Sequence, residues 1–377
     1  MTRRSFLSKT KARAGHAALF VVSLVFLSSV GGTTVASGVM APINGLASIP
    51  ICAAPRVDKI AIAATSNAAG SRSIIYGSRD VVEFSIPDGG KSTAGSTHEI
   101  AFAPDGSTWV TQQAQARLVH MNSSGDMTFH DLPTGSGPHG IGFDPAGRLW
   151  ITLEFANEIV RIGPDGEIVE RYRVPLAGAG PHGLAVAPDG RVWWTGKQGG
   201  VVGYLDPKTG RMEVFPLDEM DSKPIYISLG PDGNMWFTEL ETATIGRVTP
   251  DGQVTSFRLP NADARPIAVF AGPGGKLWFT EEAGNAYGSI TTDGAITEYP
   301  TGVENGKLAA GAFDRNGDLW IQFFQPDIIQ RISTDGTVTT YPLATPGAGQ
   351  HRIHAGPKGR MWFTELATNK VGYVVAK

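Results

Sequence analysis

Residues 138–154 read PHGIGFDPAGRLWITLE, and this phrase decides the fold because the chain repeats it. Seven of the eight tryptophans, Trp109, Trp150, Trp193, Trp236, Trp278, Trp320 and Trp362, stand 41 to 43 residues apart. Each repeat carries an apolar strand such as IGFDP or LAVAP, an Asp-Gly type of turn, and a second strand of the form LWITL or MWFTE. A third strand follows, as in TIGRVTPDG, and then a fourth such as VTSFRLP. Four short strands per period of about 42 residues form an antiparallel sheet that cannot bury both faces alone. Radial arrangement solves this, so the expected fold is all-β, a seven-bladed β-propeller. The repeated tryptophan then serves as a large apolar wedge between neighbouring blades.

The last repeat ends at KVGYVVAK without a fourth strand, and VVEFSIP at 81–87 reads as the missing one. An N-terminal strand would therefore close the ring and remove its open edges. One propeller domain is expected over 73–377.

The first residues differ in kind. Arg3, Arg4, Lys9, Lys11 and Arg13 precede an apolar run from Ala17 to Val30. That is the pattern of an export signal, and TRRSFLS resembles the twin-arginine consensus. Thr34-Val35-Ala36 offers small residues for cleavage near 36 to 38, which assigns 1–38 to a signal peptide and 39–72 to a linker rich in small residues. An uncleaved anchor is the alternative, although the run is shorter than the roughly 20 residues a membrane span needs. The expected location is periplasmic or secreted. Cys52 is the only cysteine, so no disulfide can form within the chain.

The 377 residues include 48 glycines and 25 prolines, with 18% charged residues and a net charge of −3, which suits a turn-rich globular protein. No basic run advertises a phosphate-binding surface, so nucleic acid is not an expected partner. The expected partner is a small molecule or cyclic peptide, and the protein is expected to be a monomer, free of the membrane once the signal is removed.

In propellers, ligands gather where the innermost strands begin. Reading the position of His139 across the repeats gives His98, His139, His182, Tyr226, Ile267, Leu308 and His351. Blades seven, one, two and three are neighbours in a closed ring, so their histidines should form an arc at the channel mouth, extended by Tyr226. Converging neutral imidazoles coordinate metals or exchange protons near neutral pH. A lone histidine there could equally bond a loop carbonyl. His16, His120, His130 and His354 fall outside this position.

Glu239, Glu281 and Glu365 stand three residues after their tryptophans and read as strand-to-strand partners. Glu154 stands four residues after Trp150, which reverses strand parity and sets it apart.

The repeated WFTE, IGRVTPDG and TEYP phrases resemble the streptogramin B lyases, also called virginiamycin B lyases, over about 73–377. The resemblance implies a carbon-oxygen lyase that linearises cyclic depsipeptide antibiotics by elimination, with magnesium and a histidine base, and so a role in antibiotic resistance. The matching residues are His139 as base, with His98 and Glu154 as metal ligands. A second glutamate of the family's pattern is replaced by Gly137. Blade three offers Gly180 and Lys197 at the two glutamate positions, and blade seven Gly349 and Leu366. With one carboxylate gone, a site rich in imidazole suits zinc or manganese better than magnesium. A metal-dependent lactone or ester hydrolase, and a propeller that only binds a ligand or a protein, are the alternatives.

Overall fold

A computed structural model describes residues 74–75, 80–87 and 96–375. The expected signal peptide and the whole of the expected linker, with His16 and Cys52, lie outside the described residues. Seven antiparallel sheets make a seven-bladed β-propeller. Blade two runs outward from the axis as Pro138–Phe143, Leu149–Leu153, Glu158–Ile162 and Ile168–Arg173. The innermost strands neighbour one another around the axis, with that of blade seven beside that of blade one.

Blade seven takes its fourth strand from the other end of the propeller sequence. Val81–Ser85 pairs antiparallel with Lys370–Val375, Val81 opposite Val374. Outside it lies one strand the sequence did not suggest, Ile74–Ile75, which makes this sheet five-stranded.

The tryptophans wedge between blades as expected. Trp150 packs in one cluster with Val192 and Trp194 of blade three, and Trp362 with Ile100 and Val110 of blade one. Truncating such a ring to alanine costs about 3–5 kcal/mol. In three blades the turn aspartate also accepts a hydrogen bond from the indole N–H: Trp150 donates to Asp144, Trp236 to Asp232 and Trp320 to Asp314, each at 3.0 Å. Among the described residues no helix is long and apolar enough to cross a membrane.

Candidate active site at the channel mouth

The histidines owe their placement to a bulge repeated at the start of every innermost strand. In blade two Pro138 pairs with Leu153, yet the next pair is Ile141 with Ile151. Two residues, His139 and Gly140, therefore oppose one, Thr152. The threonine hydroxyl fills the gap: it accepts the Gly140 amide at 2.8 Å and donates to the His182 carbonyl of blade three at 2.7 Å. Glycine at 140 is required by this close approach, since a Cβ there would sit 2.5 Å from the His182 carbonyl oxygen. The same hydroxyl bridge recurs at Thr111, Thr195, Thr238, Thr280 and Thr364. Blade six has Gln322 instead, and its buried amide has neither Oε1 nor Nε2 paired.

The bulge corrects the register read from the sequence. Its first position holds His98, His139, His182, Ile225, Ile267, Ala309 and His351. Tyr226 and Leu308 thus each lie one residue away from the histidine position. The second position holds glycine in blades two and three and alanine in blades five and six, but Glu99, Tyr226 and Arg352 in blades one, four and seven. These three meet across the channel. The Tyr226 hydroxyl donates to Glu99 at 2.7 Å, Arg352 Nε lies 3.2 Å from the other Glu99 oxygen, and the guanidinium sits 4.5 Å above the Tyr226 ring. Tyr226 still touches the arc, its hydroxyl 3.3 Å from His351 Nδ1.

The four histidines converge. The ring centroid of His98 lies 4.8 Å from those of both His139 and His351, and the tilted rings of His139 and His182 have centroids 3.5 Å apart. Burial holds all four imidazoles below their ordinary range, to about 4 for His351, and Lys197 adds to the effect. They are neutral at neutral pH. His182 Nδ1 lies 3.1 Å from the Ile225 carbonyl, which assigns the proton to Nδ1 and leaves Nε2 with its lone pair. His139 is buried with neither ring nitrogen partnered, and His98 Nδ1 is likewise unpaired. Among the described residues, His98, His139 and His351 form a group whose ligand atoms lie within 4.8 Å of one another, a geometry that could hold a metal ion.

Glu154 lies at this mouth but is committed elsewhere. Gln113 of blade one and Gln198 of blade three donate to its two oxygens at 2.7 and 2.8 Å. Lys197 Nζ is 3.7 Å away, and His182 Nε2 is 4.0 Å from Oε2. Gly137 adopts a left-handed φ of +65°, and a Cβ there would fall 2.5 Å from the Phe155 ring. Among the described residues the group that could hold an ion offers three imidazole nitrogens and no carboxylate, so this donor set does not fit magnesium, which prefers hard oxygen ligands.

The other glutamates stand apart from the arc. Glu365 accepts from Thr368 and is pushed up to about 8 by burial and the neighbouring Glu83. Glu281 is raised to about 7 by burial and Glu298. His120 and His130 stack on Trp109, and His354 accepts from Arg352 Nε at 2.9 Å. Sequence reasoning passed over Glu99 and Arg352, although both directly follow an arc histidine where blades two and three have glycine. Lys197 was visible only as a mismatch to a glutamate.

The virginiamycin B lyase family model matches residues 47–208 and 135–377. The chain belongs to the virginiamycin B lyase family. Among solved structures, a streptogramin B lyase is 30% identical, covers 79% of this chain with 97% of its own, and superposes with a TM-score of 0.73. Selenomethionine-substituted virginiamycin B lyase from Staphylococcus aureus is 29% identical over 79% of this chain and 99% of its own, with a TM-score of 0.72. A catalytically inactive histidine-to-alanine variant of the Staphylococcus aureus enzyme, with quinupristin, is 28% identical over the same shares, with a TM-score of 0.72. No curated protein matches the chain. This family member therefore keeps the propeller of the lyases while presenting an imidazole-rich mouth.

Proposed function

We propose that the channel mouth is a carbon-oxygen lyase site that opens a cyclic depsipeptide, or a related ester, by elimination. The observation that carries this reading is the close pair His139 and His182, ring centroids 3.5 Å apart, with the His182 tautomer set by Ile225 and its free Nε2 facing Glu154 at 4.0 Å. The resemblance gives the base to His139, whereas the tautomer favours His182 within the same pair. His182 Nε2 takes the proton from the carbon beside a carbonyl. The electron pair of that C–H bond becomes the new carbon-carbon double bond, and the Cβ–O bond of the ester breaks to release a carboxylate. Glu154 faces the imidazolium as it forms, and Lys197 at the rim meets the departing carboxylate.

Family membership and the quinupristin complex of the Staphylococcus aureus variant support the choice of substrate class. The test is mass spectrometry of a threonine-linked cyclic depsipeptide, such as quinupristin, after incubation with the protein. Elimination opens the ring without changing the mass, whereas hydrolysis adds one water. An unchanged mass with a new double bond, and a loss of roughly 100-fold or more in the His182→Ala variant, are expected. A product heavier by water, full activity in His182→Ala, or no turnover at all would overturn the reading, the last in favour of a binding propeller.

A further inference from the structure

We propose that His98, His139 and His351 form a three-imidazole site for one divalent transition ion of the zinc class. The ligand set departs from the one the resemblance implies. It recruits His351 from blade seven and omits Glu154, whose oxygens already accept from Gln113 and Gln198.

Three observations carry the site. The candidate ligand atoms of the three residues lie within 4.8 Å of one another. Three nitrogens around an ion at ~2.0–2.1 Å sit roughly 3.4 Å apart in tetrahedral geometry, so rotation of the rings by about an ångström closes the set. Next, both His139 nitrogens and His98 Nδ1 are buried without any hydrogen-bond partner. Buried polar atoms are normally satisfied, and lone pairs converging on one point are satisfied together by a cation. Finally, His351 has the outer support typical of a ligand. Its Nδ1 lies 3.2 Å from the His98 carbonyl and 3.3 Å from the Tyr226 hydroxyl, which leaves Nε2 for the ion.

The donor chemistry selects the ion. Neutral imidazole is a borderline ligand that suits zinc and its neighbours and serves magnesium poorly. Three protein ligands leave a fourth position open to water or to a ligand entering the channel. The three imidazoles are neutral, and Glu99, which also pairs with Arg352, is the carboxylate beside the group, 3.7 Å from His351 Nδ1.

The test is calorimetric titration of chelator-stripped protein with zinc and with magnesium, alongside cobalt substitution read by visible absorption. One equivalent of zinc, no measurable competition from magnesium, and the intense cobalt bands of a four-coordinate site are expected. His98→Ala, His139→Ala and His351→Ala should each weaken zinc by more than ~100-fold, beyond what loss of an outer partner costs. Tyr226→Phe should cost ~10–100-fold, while Glu154→Gln leaves zinc binding unchanged. Since His139→Ala can disturb the mouth, the less buried His351→Gln provides the same reading, with far-ultraviolet dichroism as the folding control. Preference for magnesium, loss of zinc in Glu154→Gln equal to that in His351→Gln, or no zinc binding at all would overturn the site. The elimination reading stands or falls separately. Zinc binding without turnover keeps the site and removes the lyase, and turnover in chelated, zinc-indifferent protein does the reverse.

Discussion

The Thr152 hydroxyl lies 2.7 Å from the carbonyl oxygen of His182, so the residue that shapes the bulge of blade two also fixes the backbone of the proposed base in blade three. Thr280 makes the equivalent contact to Ala309 at 3.0 Å, on the side of the channel that carries no histidine. Valine at either position removes the hydroxyl and leaves a buried amide and a buried carbonyl short of a partner, at a cost of about 1–3 kcal/mol. Thr152→Val and Thr280→Val should therefore lower the urea midpoint similarly. Only Thr152→Val should also lower kcat with the depsipeptide substrate, and equal kcat in the two variants would show that the bridge does not position His182.

Gly137 marks where the mouth lacks a carboxylate. In Gly137→Glu the left-handed backbone costs about 1–2 kcal/mol, and the new Cβ meets the Phe155 ring at 2.5 Å. Phe155 is 61% exposed, so its ring is able to swing away. The expected outcome is a lower thermal midpoint in Gly137→Glu, partly recovered when Phe155→Ala is added. Identical midpoints in the single and double variants would mean that the ring offers no steric resistance.

Glu365 gives stability a pH dependence at the ring closure. Its folded pKa is raised to about 8 by burial and by Glu83, from an ordinary value of 4.5. Between these values the folded state keeps a proton that the unfolded chain has released. Stability contributed by this group is thus full below about pH 4.5 and is lost as pH rises through about 8. Glu365→Gln should flatten that decline, which thermal midpoints at about pH 6 and about pH 9 would show. An undiminished decline in the variant would assign it to another group.

Gln322 is the one interruption in the series of bridging threonines, a buried amide with both polar atoms unpaired. Gln322→Thr should restore the bridge between blades six and seven and relieve the unpaired amide. A gain of about 1 kcal/mol in unfolding free energy is expected, and a loss of similar size would indicate that the smaller side chain leaves a cavity that outweighs the new bonds.

The architecture was legible because each blade poses the same burial problem and answers it with the same wedge, so the spacing of the tryptophans carries the blade count. Closure was legible because the last repeat lacks a fourth strand and VVEFSIP supplies one at the other end of the repeats. The bulge was not legible, because an extra residue leaves no mark in the hydrophobic pattern and merely turns the next side chain to another face. Tyr226 was therefore set in register with His139. The correct register was nonetheless present, as each arc histidine stands eleven residues before its tryptophan and Ile225 does the same before Trp236. Glu154 stood out by parity, but its partners Gln113 and Gln198 come from the two flanking blades, and no reading of blade two alone reaches them. Glu99 and Arg352 were hidden for the opposite reason: each looks like an ordinary surface charge until the ring brings both against Tyr226.

Pairing Val81–Ser85 with Lys370–Val375 also orders events during synthesis. The ribosome delivers the early strand long before its partner exists, and blade seven cannot pair that strand until Lys370–Val375 has emerged. His351 stands on the innermost strand of that blade and His98 on the innermost strand of blade one, their ring centroids 4.8 Å apart. The three-imidazole group is therefore complete only where blade seven stands beside blade one, because His351 comes from the former and His98 from the latter.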